Sequence, residues 1–90
     1  MSKFYFTYGT DGFPYYGGWT EIEAPNLYAA TSAFRAYHPD RYVGLLNCSD
    51  YYTEREFEKT GMNGPEGNFG NHCHERITIT RTIIKKEDAR

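Results

Sequence analysis

The chain has 90 residues, a formal net charge of −2, two cysteines, three histidines and an aromatic set of nine Tyr, six Phe and one Trp. That length excludes a second independent core, because each half would bury too little apolar surface against its own chain entropy, and no apolar run reaches the roughly 20 residues of a membrane span. Residues 1–75 carry ten acidic against five basic side chains and residues 76–90 two against five, so the body repels phosphate, argues against a general nucleic-acid binder and favours a partner with a positive surface.

From Lys3 to Tyr8 the aromatics alternate, Phe4, Phe6 and Tyr8 on one face and Tyr5 and Thr7 on the other, which predicts a half-buried strand. GTDGFPYYGG is a glycine-rich loop, and Trp19 to Ala24 predicts a second strand returning from it as a long hairpin. Asn26 is a good N-cap for a helix whose Leu27, Ala30, Phe34 and Tyr37 share a face, and Pro39 ends that helix near Tyr37 or His38. YVGLLN reads as a short central strand, and the capping box Thr53-Glu54-Arg55-Glu56 starts a short helix that stops at Gly61. GMNGPEGNFGN is a loop, and Ile77, Ile79, Arg81 and Ile83 alternate with threonines in a last strand. The expectation is a small α+β domain over residues 1–84, with a mixed or antiparallel sheet of about four strands, one main and one short helix, and a frayed, charged tail over 85–90.

The N-terminus MSKFYFTYGT lacks the apolar core of a signal peptide, which predicts a cytosolic protein with reduced thiols. In that setting Asn47-Cys48-Ser49 is not a glycosylation site, and Cys48 and Cys73 are better read as metal ligands or buried apolar residues than as a disulfide. NHCHER gathers His72, Cys73 and His74, while His38 and Cys48 stand at the ends of other predicted elements. Two thiolates and two imidazoles make a closed tetrahedral zinc set, so His38, Cys48, Cys73 and His74 are the candidate ligands, with His72 as the substitute for either histidine. On a regular strand Cys73 and its flanking histidines face opposite ways, so the set also requires irregular backbone there, which Gly67 and Gly70 favour.

An enzyme reading takes Cys73 as nucleophile, His38, His72 or His74 as base, and Glu75 or Asp40 as orienter, a small cysteine hydrolase supported by composition alone. Neither glycine loop ends in the Gly-Lys-Ser/Thr of a phosphate-binding loop. The aromatics of YFTY, FPYY and DYY could stack on bases, which leaves a nucleotide- or nucleic-acid-binding module as a further alternative. Glu54, Glu56 and Glu58, with Arg55 and Lys59 between them, read first as a solvated helix face. For a protein contact, Glu21, Glu23, Glu54 and Glu58 supply negative charge and Tyr51 and Tyr52 aromatic surface, along with Tyr15 and Tyr16.

YGTDGFPYYGGWTEIEAP, FRAYHPD, LLNC, YYTEREFEKT and GNFGNHCHE together span nearly the whole chain. Through them it resembles a family of small proteins carried by phages and mobile elements of Gram-positive bacteria, among which anti-CRISPR proteins are found. The resemblance implies a zinc-binding, non-enzymatic inhibitor of a type II CRISPR effector nuclease; the expected setting is the host bacterial cytosol, with no direct contact to nucleic acid or membrane and the oligomeric state, monomer first, left open. It singles out His38 in FRAYHPD, Cys48 in LLNC and Cys73-His74 in CHE. The expected mode of action is occupation of a basic surface of the effector, blocking its DNA loading or cleavage.

Overall fold

Alternating aromatics give the first strand two buried faces. In the computed structural model, which describes residues 1–80 and 84–89, β1 (Ser2–Thr7) sends Phe4 and Phe6 into one apolar cluster and Tyr5 into another on the opposite side of the sheet. β2 (Trp19–Ala24) returns antiparallel to it with Phe4 opposite Ile22 and Tyr5 opposite Glu21. The predicted long hairpin is present.

Asn26 caps α1 (Leu27–Tyr37), its side-chain oxygen accepting the Ala29 N–H at 2.9 Å. The helix buries Ala30, Ala33 and Phe34 against Phe6, Tyr8, Ile22, Ala24 and Ile77, with Phe34 stacked on Phe6 at 4.6 Å between ring centres. It closes with the His38 N–H on the Phe34 carbonyl at 2.8 Å, and Pro39 follows. β3 (Asp50–Thr53) pairs antiparallel with β1, and the reciprocal Thr53–Glu56 capping box starts α2 (Glu54–Thr60), which stops at Gly61 with φ 78°. Phe57 of α2 stacks on Tyr5 at 4.1 Å and meets Trp19 edge-on at 4.8 Å, covering the other side of the sheet. Truncating Phe34 or Phe57 to alanine should cost about 3–5 kcal/mol.

β4 (Cys73–Ile79) lies parallel to β2, and β5 (Ile84–Asp88) is antiparallel to β4. Among the described residues the order is β3-β1-β2-β4-β5, one mixed sheet of five strands with a helix on each face. The α+β class holds, with one strand more than expected. No helix among the described residues is long and apolar enough to cross a membrane.

Two expectations change. YVGLLN is a tight turn instead of a strand: Tyr42 and Leu45 form an isolated bridge around Gly44, whose φ is +82°, and Val43 is fully exposed. The glycine interrupts the apolar run, and the strand begins only at Asp50. The segment read as a frayed tail is also misread, since Lys85–Asp88 belongs to β5. Every β5 residue is exposed, and its Lys and Glu side chains suit an unpartnered sheet edge. The run through Ile77 and Ile79 ends at Ile79, and its expected continuation over residues 81–83 lies outside the described residues.

Candidate functional site

NHCHER sits where the second glycine loop meets the hairpin loop. Asn68 Nδ2 donates to the Tyr8 and Gly18 carbonyls, both at 2.9 Å, and Asn71 Nδ2 donates to the Tyr16 carbonyl at 2.8 Å. Asn68 and Asn71 also pair with each other across Phe69 and Gly70, both with positive φ, a two-residue hairpin turn that places strain on the non-glycine Phe69. This turn feeds β4 against β2. The register then slips: Trp19 faces Cys73 and Thr20 faces Glu75, so His74 is the extra residue of a bulge.

The bulge decides which side each residue serves. Cys73 packs with Tyr5, Trp19 and Phe57 beneath α2, whereas His74 and Glu75 turn to the α1 side, where His74 stacks on Tyr15 at 4.3 Å. His74 Nε2 donates to the Gly17 carbonyl at 3.0 Å, and His72 Nε2 donates to the Gly64 carbonyl at 2.8 Å while meeting Trp19 edge-on. Carbonyls only accept, so both rings carry their proton on Nε2. These two histidines tie the loops together.

Glu75 is the centre of the α1 side. It is completely buried, and each carboxylate oxygen accepts two donors. Oε2 takes the Thr20 hydroxyl at 2.7 Å and His38 Nε2, and Oε1 takes the Tyr15 hydroxyl and Lys86 Nζ, each at 3.2 Å. Because Thr20 gives its single proton to Glu75, the Tyr8 hydroxyl must donate to Thr20, and a chain of directed bonds runs Tyr8 to Thr20 to Glu75. Burial opposes ionisation of Glu75, but the hydrogen bonds from His38 and Thr20, attraction to His38 and the Lys86 bond outweigh it and pull the carboxyl down to about 2. The same bond to Glu75 raises Lys86. β5 is thereby fastened to the interior through one lysine.

The expected zinc set is not assembled. Cys48 packs against the cluster under α1 and Cys73 against the cluster under α2, with the sheet between them. His38 and His74 have their Nε2 protons committed to Glu75 and Gly17, and His72 shares the α2 side with Cys73 alone of the ligand candidates. Among the described residues no three His, Cys, Asp or Glu side chains are grouped as a metal site. These donors do not fit a tetrahedral zinc in this arrangement. Nor is either thiol placed as a nucleophile: burial pushes Cys48 up to about 12 and also raises Cys73, whose Sγ–H donates to the Glu75 carbonyl at 3.3 Å.

The candidate contact residues divide between the two sides. Tyr51 lies on the α1 side, 6.0 Å from the Phe6 ring, and borders a groove of ≈ 570 Å³ shared with Phe13, Leu46 and Cys48. Tyr52 lies on the α2 side beside Phe57. Glu21 and Glu54 border a recess of ≈ 390 Å³ on that same side, with Tyr5, Trp19, Cys73 and Arg76. Burial raises the Tyr5 hydroxyl well above its ordinary value, and the negative charges of Glu21, Glu54 and Glu58 raise it further, so three carboxylates from β2 and α2 act on one phenol. Glu23 follows Glu21 by two residues and shares its face of β2.

Glu75, read from the sequence only as a possible orienter, is the centre of the buried polar network, and its phase with Ile77 and Ile79 marks it as inward-facing. No protein-family model, curated protein or solved structure matches the chain.

Proposed function

We propose that this domain is a non-catalytic protein-binding module that sets its acidic α2 side against a basic protein surface, and that the surface belongs to a type II CRISPR effector nuclease. The observation that carries the reading is that Glu21 of β2 and Glu54 of α2, from two separate elements, border one recess beside Tyr5. The resemblance to phage-borne inhibitors supplies the target. A catalytic reading has less support, because the Glu75–His38 pair is saturated by its neighbours and both thiols favour their protonated form. An acidic contact side disfavours nucleic acid as the direct ligand.

Surface charge of this kind accelerates encounter more than it deepens affinity, so the effect belongs mainly in the association rate. The test is biosensor binding of the intact domain to a guide-loaded type II effector, with a DNA-cleavage assay in parallel. Glu23→Lys and Glu58→Lys should each slow association severalfold, leave the melting temperature unchanged, and lose their effect at high salt. Absence of binding, together with undiminished DNA loading and cleavage, overturns the target. Binding that ignores both charge reversals overturns the contact side.

A further inference from the structure

The two outer edges of the sheet differ in kind. β5 presents Lys85, Lys86, Glu87 and Asp88, charges that keep a stray strand from adding to it. β3 presents Asp50, Tyr51, Tyr52 and Thr53, of which the last three favour extended backbone and none is a lysine or proline, and among the described residues no strand lies beyond it. α1 packs over β2 and β4, and between α1 and the start of β3 runs the groove of ≈ 570 Å³. Phe13, Leu46 and Cys48 line it while packing on the core, and Tyr42, Leu45 and Tyr51 border it at 65, 63 and 48 % exposure. Apolar side chains gathered around a concavity of this size mark a binding site. Two arginines border the groove as well. Arg35 is committed, its Nε donating to Asp40 at 3.0 Å. Arg41 has only the Tyr42 ring, 5.6 Å from its guanidinium carbon, and no carboxylate partner among the described residues. Asp50, the acidic side chain on the same groove, forms no ion pair with either arginine.

We propose that the β3 edge and this groove form one docking site for an extended segment of a partner protein. The segment adds to the sheet beyond β3, sets a large apolar side chain into the groove and places an acidic one, two residues away, on Arg41. Each part answers a separate feature. The open edge supplies backbone donors and acceptors, which bind any extended chain and carry the affinity of strand addition. The groove selects an apolar side chain, because only the side chains on one face of an added strand reach the α1 side. The Arg41 guanidinium selects a carboxylate by a forked, charge-assisted bond, and two residues is the spacing at which a strand returns to the same face. A free amphipathic acid meets the groove and Arg41 but leaves the edge unused, and a second copy of this chain meets the edge. The site lies on the opposite side of the sheet from the acidic recess, so it stands apart from the protein-binding reading above.

The test is fluorescence anisotropy of a labelled, end-capped pentapeptide, Thr-Leu-Thr-Glu-Thr, titrated with the intact protein. It should bind saturably with a dissociation constant of about 0.1–1 mM. The reordered peptide Thr-Leu-Glu-Thr-Thr, with its leucine and glutamate on opposite faces, should bind at least fivefold more weakly, and the glutamine counterpart severalfold more weakly. Two further peptides are methylated on alternate backbone nitrogens, one on Leu and Glu and the other on the threonines. A strand pairs through one edge only, so one of the two should lose at least fivefold and the other should bind as the parent does. Arg41→Gln and Leu45→Ser change exposed residues, and each should weaken the parent peptide severalfold while the far-ultraviolet circular dichroism stays native. No saturable binding, equal binding of the reordered peptide, equal binding of both methylated peptides, or wild-type affinity in both protein variants overturns the proposal. Octanoate that displaces the peptide at the peptide's own concentration assigns the groove to a free acid and overturns it too. So does sedimentation showing a dimer that excess peptide does not dissociate, which gives the edge to a second copy.

Discussion

Replacing Glu75 with glutamine changes one atom's identity in a fully buried carboxylate and should expose how much of the fold rests on that charge. The folded carboxyl lies at about 2 against an ordinary 4.5, and at about 1.4 kcal/mol per unit this corresponds to about 3 kcal/mol. Because the folded value is depressed, the stabilisation is complete above about 4.5 and is lost as the pH falls toward about 2. Glutamine has the same shape but turns an N–H pair toward donors, leaving His38 or Lys86 facing another donor. Glu75→Gln should therefore lose about 3 kcal/mol at pH 7, out of a total that for domains of this kind is about 5–15 kcal/mol. Its melting temperature should fall by roughly 12–24 °C. Urea unfolding followed by Trp19 fluorescence at several values from pH 7 to pH 2.5 gives both curves. The decisive quantity is their difference, since other carboxylates titrate in both proteins: it should shrink as the pH falls below about 4.5. A gap that stays constant through that range, or one under about 1 kcal/mol at pH 7, refutes the account of Glu75.

Gly18→Ala should destabilise by more than about 2 kcal/mol, because its φ is +66° and a Cβ would stand 2.2 Å from the His72 carbonyl oxygen and 2.5 Å from His74 Nε2. Gly44→Ala, at φ +82° with open space around it, should cost only about 1 kcal/mol, and thermal melts that rank the two the other way refute the loop packing. Native alkylation with iodoacetamide at pH 8 should modify Cys48 at least tenfold more slowly than in urea, since burial pushes that thiol up to about 12; mass spectrometry that finds fast Cys48 labelling, or an intramolecular disulfide across the sheet, counts against the two-sided placement. Dialysis against a strong chelator should leave the melting temperature unchanged, and a fall that added zinc restores would show that the four candidate ligands converge in a different arrangement.

Element types were readable where local chemistry acts alone: the Asn26 cap, the Pro39 stop and the Thr53–Glu56 box each fix a helix end through bonds within a few residues. β5 was not, because IKKED has no apolar alternation and becomes a strand only by pairing with β4 and anchoring Lys86 on Glu75. The separation of the four candidate zinc ligands turns on a finer point. Counting in twos back from Ile79 and Ile77 puts Glu75 inward correctly, and one further step puts Cys73 on that same α1 side, where Cys48 and His38 also lie. The bulge at His74 cancels that step and moves Cys73 to the other side of the sheet. The flanking glycines announce irregular backbone but carry no record of which residue is the extra one. What the sequence did contain was the consequence of an inward Glu75: a carboxylate on a buried strand face needs donors for both oxygens. The side chains able to supply them, Thr20 on β2, His38 at the end of α1, Tyr15 in the hairpin loop and Lys86 on β5, come from every element that packs around β4 on that side. The scarce histidines are therefore spent on closing the polar interior and its loops, which leaves the acidic side chains that border the α2-side recess, Glu21 and Glu54, outside that network.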